Sequence, residues 1–86
     1  MIKEEDLIKY LNYIGITKKT HQKKILNTYE ICFKNAYRVS KFRGLIEELG
    51  YADEAADNII QYLIMPQFRD KMNKEIKANK GVWGLK

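Results

Sequence analysis

His21 and Cys32 are the residue types that could form a nucleophile and its base, and each is the single example of its kind in the chain. They lie eleven positions apart in a segment with helical periodicity. Eleven residues of helix is about three turns, which keeps the two side chains from touching. One His and one Cys also leave a zinc site short of ligands unless carboxylates or a second chain supply them. Glu47, Glu48, Asp53, Glu54 and Asp57 are close in sequence, but acids at a helix start explain them more simply than bound magnesium. No glycine-rich phosphate loop and no nucleophile elbow occur. The expectation is therefore a protein that is not an enzyme, with no cofactor, no metal and no small-molecule substrate.

The remaining chemistry is charge. The stretch KKTHQKKILNTYEICFKNAYRVSKFR, residues 18–43, holds eight Lys or Arg and one acid. Residues 17–43 carry a net +7, residues 44–65 carry −5, residues 66–86 carry +4, and residues 1–16 carry −1. The net charge is +5 and the pI near 9.3. A basic balance favours acidic partners, nucleic acid first among them.

Helical elements must position these charges. Leu7, Leu11 and Ile14 make an i, i+4, i+7 stripe over residues 4–14, with Glu4, Glu5 and Asp6 in the first turn and Gly15 as a stop. Residues 18–43 read as one long helix. Ile25, Tyr29, Cys32, Phe33, Ala36 and Val39 fall on one side, and Lys19, Lys23, Lys34, Arg38 and Lys41 on the other. A break near 40–44 is compatible with Ser40 and Gly44, followed by a short helix that Gly50 ends. Residues 53–65 form a further helix with Ala56, Ile59, Ile60, Leu63 and Ile64 on its apolar side. Pro66 ends that helix and suits the first position of the next. There Phe68, Met72 and Ile76 give a thin stripe, and GVWGLK is a tail. The expected fold is all-α, a compact bundle of four to five helices with residues 1–80 as one domain and 81–86 as its tail. A domain of 86 residues buries roughly 60–65% of its unfolded surface, so a homodimer would add stability.

The segment LIKYLNYIGITKKTHQKKIL resembles a helix-turn-helix, with Leu11 before the turn, Gly15 in it and Ile16 after it. That resemblance implies a second helix placing Lys18, Lys19, Gln22 and Lys23 toward bases or phosphates. It departs from the pattern at His21 and Lys24, where apolar residues belong. GITKKTHQKKIL is also similar to the last-helix stretch of SAM domains, through Gly15, Ile16, His21, Lys24, Ile25 and Leu26. The four helices that precede that stretch do not fit in 14 residues, so no function follows.

The candidate nucleic-acid-binding residues are Lys18, Lys19, Lys23, Lys34, Arg38, Lys41, Arg69, Lys71 and Lys74. Asn27 and Asn35 are candidates for base reading. Six tyrosines exceed what so small a core should hold, which points to a phenol-rich surface. Tyr37 and Trp83 are the candidate partner interface. One cysteine allows no internal disulfide, the N-terminus lacks a signal-peptide pattern, and no apolar run approaches a membrane span. The expectation is a cytoplasmic protein that binds nucleic acid, DNA rather than RNA, in a regulatory or mobile-element role. The rival expectation is an interaction module of adaptor, inhibitor or immunity type that docks on a protein target.

Overall fold

The computed structural model describes residues 2–35 and 38–78, apart from the side chains of Lys34 and Asn35. The described chain is all-α, a small bundle with no strand among the described residues. Its elements are α1 (Glu4–Tyr13), α2 (Lys19–Tyr29), a π-helical segment (Glu30–Asn35), α3 (Val39–Glu48), α4 (Asp53–Ile64) and α5 (Pro66–Ala78). Helix α2 packs on α1 and α3, α3 packs on α4, and α5 packs on α1 and α4.

Local chemistry explains most boundaries. After α1 the Gly15 N–H donates to the Asn12 carbonyl (3.2 Å) and the Ile16 N–H to the Leu11 carbonyl (2.8 Å). This is a Schellman stop, and its glycine sits at φ +100°. Leu11 and Ile16, the apolar pair of that motif, are both buried. The same arrangement closes α3 through Gly50, at φ +98°, with the Tyr51 N–H donating to the Ile46 carbonyl. Met65 is extended, as a residue before proline must be, and Pro66 opens α5.

The single long helix expected over 18–43 does not form. Helix α2 ends at Tyr29, the backbone widens into the π-helical segment, and Arg38 leaves helical geometry at φ −111°, ψ 74° before α3 begins. The Arg38 N–H reaches back to the Cys32 carbonyl (3.0 Å). A straight helix of that length would span about 39 Å at 1.5 Å per residue. The folded chain extends 36 Å in its longest dimension, less than such a helix. Folding back brings Phe33 edge-on to Phe42, with ring centroids 5.3 Å apart. Helix α3 in turn runs straight through Ser40 and Gly44, where the break had been expected.

The core joins Leu7, Tyr10 and Leu11 of α1, Ile16 of the turn, Ile25 and Tyr29 of α2, Cys32 of the π-helical segment, Phe42 and Ile46 of α3, and Ala56, Ile59, Ile60, Tyr62 and Leu63 of α4. Tyrosines are part of it, contrary to the expectation of a phenol-rich surface. Tyr10 and Tyr62 stack with centroids 4.2 Å apart and planes 8° apart. The Tyr10 hydroxyl donates to the Asn58 carbonyl, and the Tyr62 hydroxyl to Asn73 Oδ1 (2.7 Å). Burial is the main cause that pushes both phenols up to about 12. Tyr13 and Tyr51 are half-buried and bonded to Glu75 and His21. No described tyrosine is an exposed residue.

Candidate nucleic-acid interface

Lys18 is the N-cap residue of α2, Lys19 opens the helix, and Lys23 follows one turn later. All three are exposed, as is Lys24. Arg38 is the N-cap residue of α3, and Lys41 lies in its first turn; both are exposed. Two contacts show that α2 and α3 run antiparallel. His21, near the start of α2, meets Tyr51, just past the end of α3, and Phe33, beyond the end of α2, meets Phe42 in the first half of α3. The Lys18–Lys23 group and the Arg38–Lys41 group therefore sit at opposite ends of this helix pair. The eleven residues of α2 separate them by about 16 Å. That distance covers roughly five phosphates of one strand at 3.4 Å each.

None of these cations forms an ion pair with a described residue. The ion pairs among the described residues both come from Arg43, which grips Asp53 (2.9 Å) and Asp57 and thereby ties α3 to α4. Asp53 and Asp57 thus serve a structural clamp. A hydrogen bond with Asp53 holds the Glu47 carboxyl above its ordinary value. The same bond, and then Arg43, holds Asp53 below its own. No group of three or more His, Cys, Asp or Glu among the described residues could hold a metal ion. Helices α1 and α4 carry acids in their first turns, whereas α2 and α3 carry none. Lysines at a helix N-terminus oppose the helix dipole, and an incoming anion relieves both.

The other candidates divide. Lys71 and Lys74 are exposed on α5, which has α1 as the neighbour it shares with α2. Arg69 is half-buried, and its Nη1 donates to the carbonyls of Tyr62 and Leu63, both at 3.2 Å. It closes the C-terminal end of α4, where unpaired carbonyls attract a cation. Asn27 is exposed. Lys34 belongs to the π-helical segment, but its side chain and that of Asn35 are not described, and Tyr37 and Trp83 lie outside the described residues.

Gln22 is not available to a base or a phosphate, as the helix-turn-helix resemblance had implied. It is 6% exposed, and its Nε2 donates to Asn12 Oδ1 (2.7 Å) and to the Ile16 carbonyl (2.9 Å). The turn between α1 and α2 leaves that carbonyl without a backbone partner, and Gln22 supplies the donor. His21 is half-buried, its Nδ1 2.6 Å from the Tyr51 hydroxyl. Cys32 is fully buried as a free thiol. Sequence reasoning gave Arg69 and Gln22 to the surface because their partners, a helix end and a turn carbonyl, exist only in the folded chain. Compared with protein families, with curated proteins and with solved structures, the chain matches none.

Proposed function

We propose that this protein binds duplex DNA through the outer side of the α2–α3 pair, holding phosphates with Lys18, Lys19, Lys23, Arg38 and Lys41. The observation that carries this reading is the set of exposed cations on α2 and at the start of α3 with no carboxylate partner among the described residues. Their spread of about 16 Å suits several successive phosphates. Exposed helices favour DNA over RNA, because the major groove of B-DNA admits a helix and that of A-form RNA does not. Lysine heads attract phosphates without reading bases, so the expected affinity is largely independent of sequence. Lys71 and Lys74 on α5 would extend the contact. Such a protein fits a regulatory role in the cytoplasm, and its free thiol fits a reducing compartment.

The test is a double charge reversal, Lys23→Glu with Arg38→Glu, in a fluorescence-anisotropy titration of labelled duplex at low salt. The proposal expects binding to be lost with the melting temperature nearly unchanged. Retained binding would refute it.

A second reading is favoured by three exposed apolar side chains, Ile31 (59% exposed), Met65 (47%) and Ile64 (39%). Helix α5 also has no fully buried residue. These suit a protein surface, of a second copy or of another target. Chemical crosslinking of the purified chain, with and without Met65→Lys, distinguishes self-association from a monomer.

A further inference from the structure

A cleft of about 390 Å³ opens between the start of α1, the end of α2 and the α4–α5 corner. Its lining combines Lys3, Asp6 and Ile2 from the α1 end, Tyr29 from α2, Leu63 from α4, and Arg69 and Asn73 from α5. The volume lies within the range of about 300–1,000 Å³ usual for small-molecule sites.

The polar groups here are only partly satisfied within the protein. Tyr29 is 7% exposed, yet its hydroxyl makes no hydrogen bond among the described residues. Among the described residues no buried side-chain oxygen or nitrogen is left unpaired, so that hydroxyl meets solvent, and Tyr29 lines both this cleft and a smaller neighbouring one. Arg69 uses Nη1 on the α4 carbonyls, which leaves Nη2 and Nε. Asn73 uses Oδ1 to accept the Tyr62 hydroxyl, which leaves its amide donor. Lys3 and the Asp6 carboxylate form no ion pair with a described residue. The same Tyr62 hydroxyl lies 3.3 Å from the Asp6 carbonyl, so one buried phenol fixes the α1 wall against the α5 wall.

This set has a definite complement. Two cations against one carboxylate leave one positive charge for a ligand carboxylate to meet, and Asp6 remains to face a neutral or cationic donor beside it. Donors from Arg69, Lys3, Asn73 and Tyr29 suit a carboxylate group, since charged hydrogen bonds are the strong ones. Asp6 opposes a dianion and instead accepts a donor placed beside that carboxylate. Ile2 and Leu63 offer apolar surface for a side chain. We propose that the cleft binds a small α-amino or α-hydroxy carboxylate with an aliphatic side chain. This goes beyond the DNA reading and departs from the sequence expectation of no small-molecule ligand.

The experiment titrates the ¹⁵N-labelled full chain with L-leucine, its α-hydroxy analogue leucic acid, isocaproate (which lacks the α donor), and inorganic phosphate. Amide shifts of Lys3, Asp6, Leu63 and Asn73 are followed. Leucine or leucic acid is expected to give saturable shifts, with whichever binds more tightly identifying the α donor. Isocaproate should bind several-fold to about tenfold more weakly, the equivalent of one hydrogen bond. Tyr29→Phe removes only the hydroxyl and should weaken binding by a similar factor, and Lys3→Ala should do the same at a site that carries no core contact. Absence of saturation by either α-substituted acid up to about 10 mM would overturn the proposal. So would phosphate binding as tightly as these acids, or affinities unchanged in both variants. Failure here leaves DNA binding untouched, because none of the α2–α3 lysines lines the cleft.

Discussion

Gln22→Ala separates a residue that reads DNA from one that completes a turn. In a helix-turn-helix, the substitution would lower DNA affinity and leave stability nearly alone. In this structure Gln22 is buried and donates to Asn12 and to the Ile16 carbonyl, and Ile16 is itself only 1% exposed. Two neutral hydrogen bonds contribute about 1 kcal/mol each, and an orphaned buried carbonyl costs about 1–3 kcal/mol, which overlaps the loss of its bond. The net destabilisation is about 2–3 kcal/mol. A chain of 86 residues is stable by roughly 4–13 kcal/mol in total, so the variant still folds in the cold. Its melting temperature should fall by roughly 10–20 °C. Thermal denaturation followed by circular dichroism, together with DNA titration at about 10 °C, gives both readouts. Gln22→Glu adds a sign. Only the protonated acid can donate to the Ile16 carbonyl, so burial raises its folded pKa above the unfolded value of about 4.3. The variant is then least perturbed below that pH and loses stability as pH rises from about 4 to 7. An unchanged melting temperature with weakened DNA binding would refute this placement of Gln22.

Other perturbations follow from single contacts. Gly44 lies inside α3 with open space where a Cβ would stand, so Gly44→Ala should stabilise by about 0.5–1 kcal/mol in urea denaturation. Arg69→Met removes the donor from the α4 carbonyls and should lower stability by about 1–2 kcal/mol while leaving the salt slope of DNA binding unchanged. Tyr10 and Tyr62 have folded pKa values of about 12 against an unfolded value of 10.0. Their contribution is whole below pH 10 and disappears as pH rises through 12, which urea midpoints across that range should follow.

Much of the fold was legible because its punctuation is local. Gly15 and Gly50 supply the left-handed residues that end α1 and α3, and Pro66 sets the α4–α5 corner by fixing its own φ and extending Met65. Periodicity placed Ile25, Tyr29 and Cys32 correctly in the core. The break between the π-helical segment and α3 was not legible. Residues 30–41 contain neither proline nor glycine, and their helical stripe is continuous. Folding back seats Phe33 against Phe42, a contact that periodicity within the segment does not report. The site was legible only as charge. Exposed Lys18, Lys19, Lys23, Arg38 and Lys41 follow from the pattern, whereas the inward turn of Gln22 and Arg69 depends on acceptors assembled by folding. The tyrosines misled for a related reason: Tyr10 and Tyr62 enter the core because Asn58 and Asn73 meet their hydroxyls.

The most direct measurement of the central claim is the affinity for a short DNA duplex across salt concentration. Five phosphates neutralised by Lys18, Lys19, Lys23, Arg38 and Lys41 give a log–log slope of about −4.5, a loss of about 500-fold between about 50 and 200 mM salt. Lys23→Ala should reduce the magnitude of the slope by about 1. A slope near zero, or no binding at the lower salt, would contradict the account.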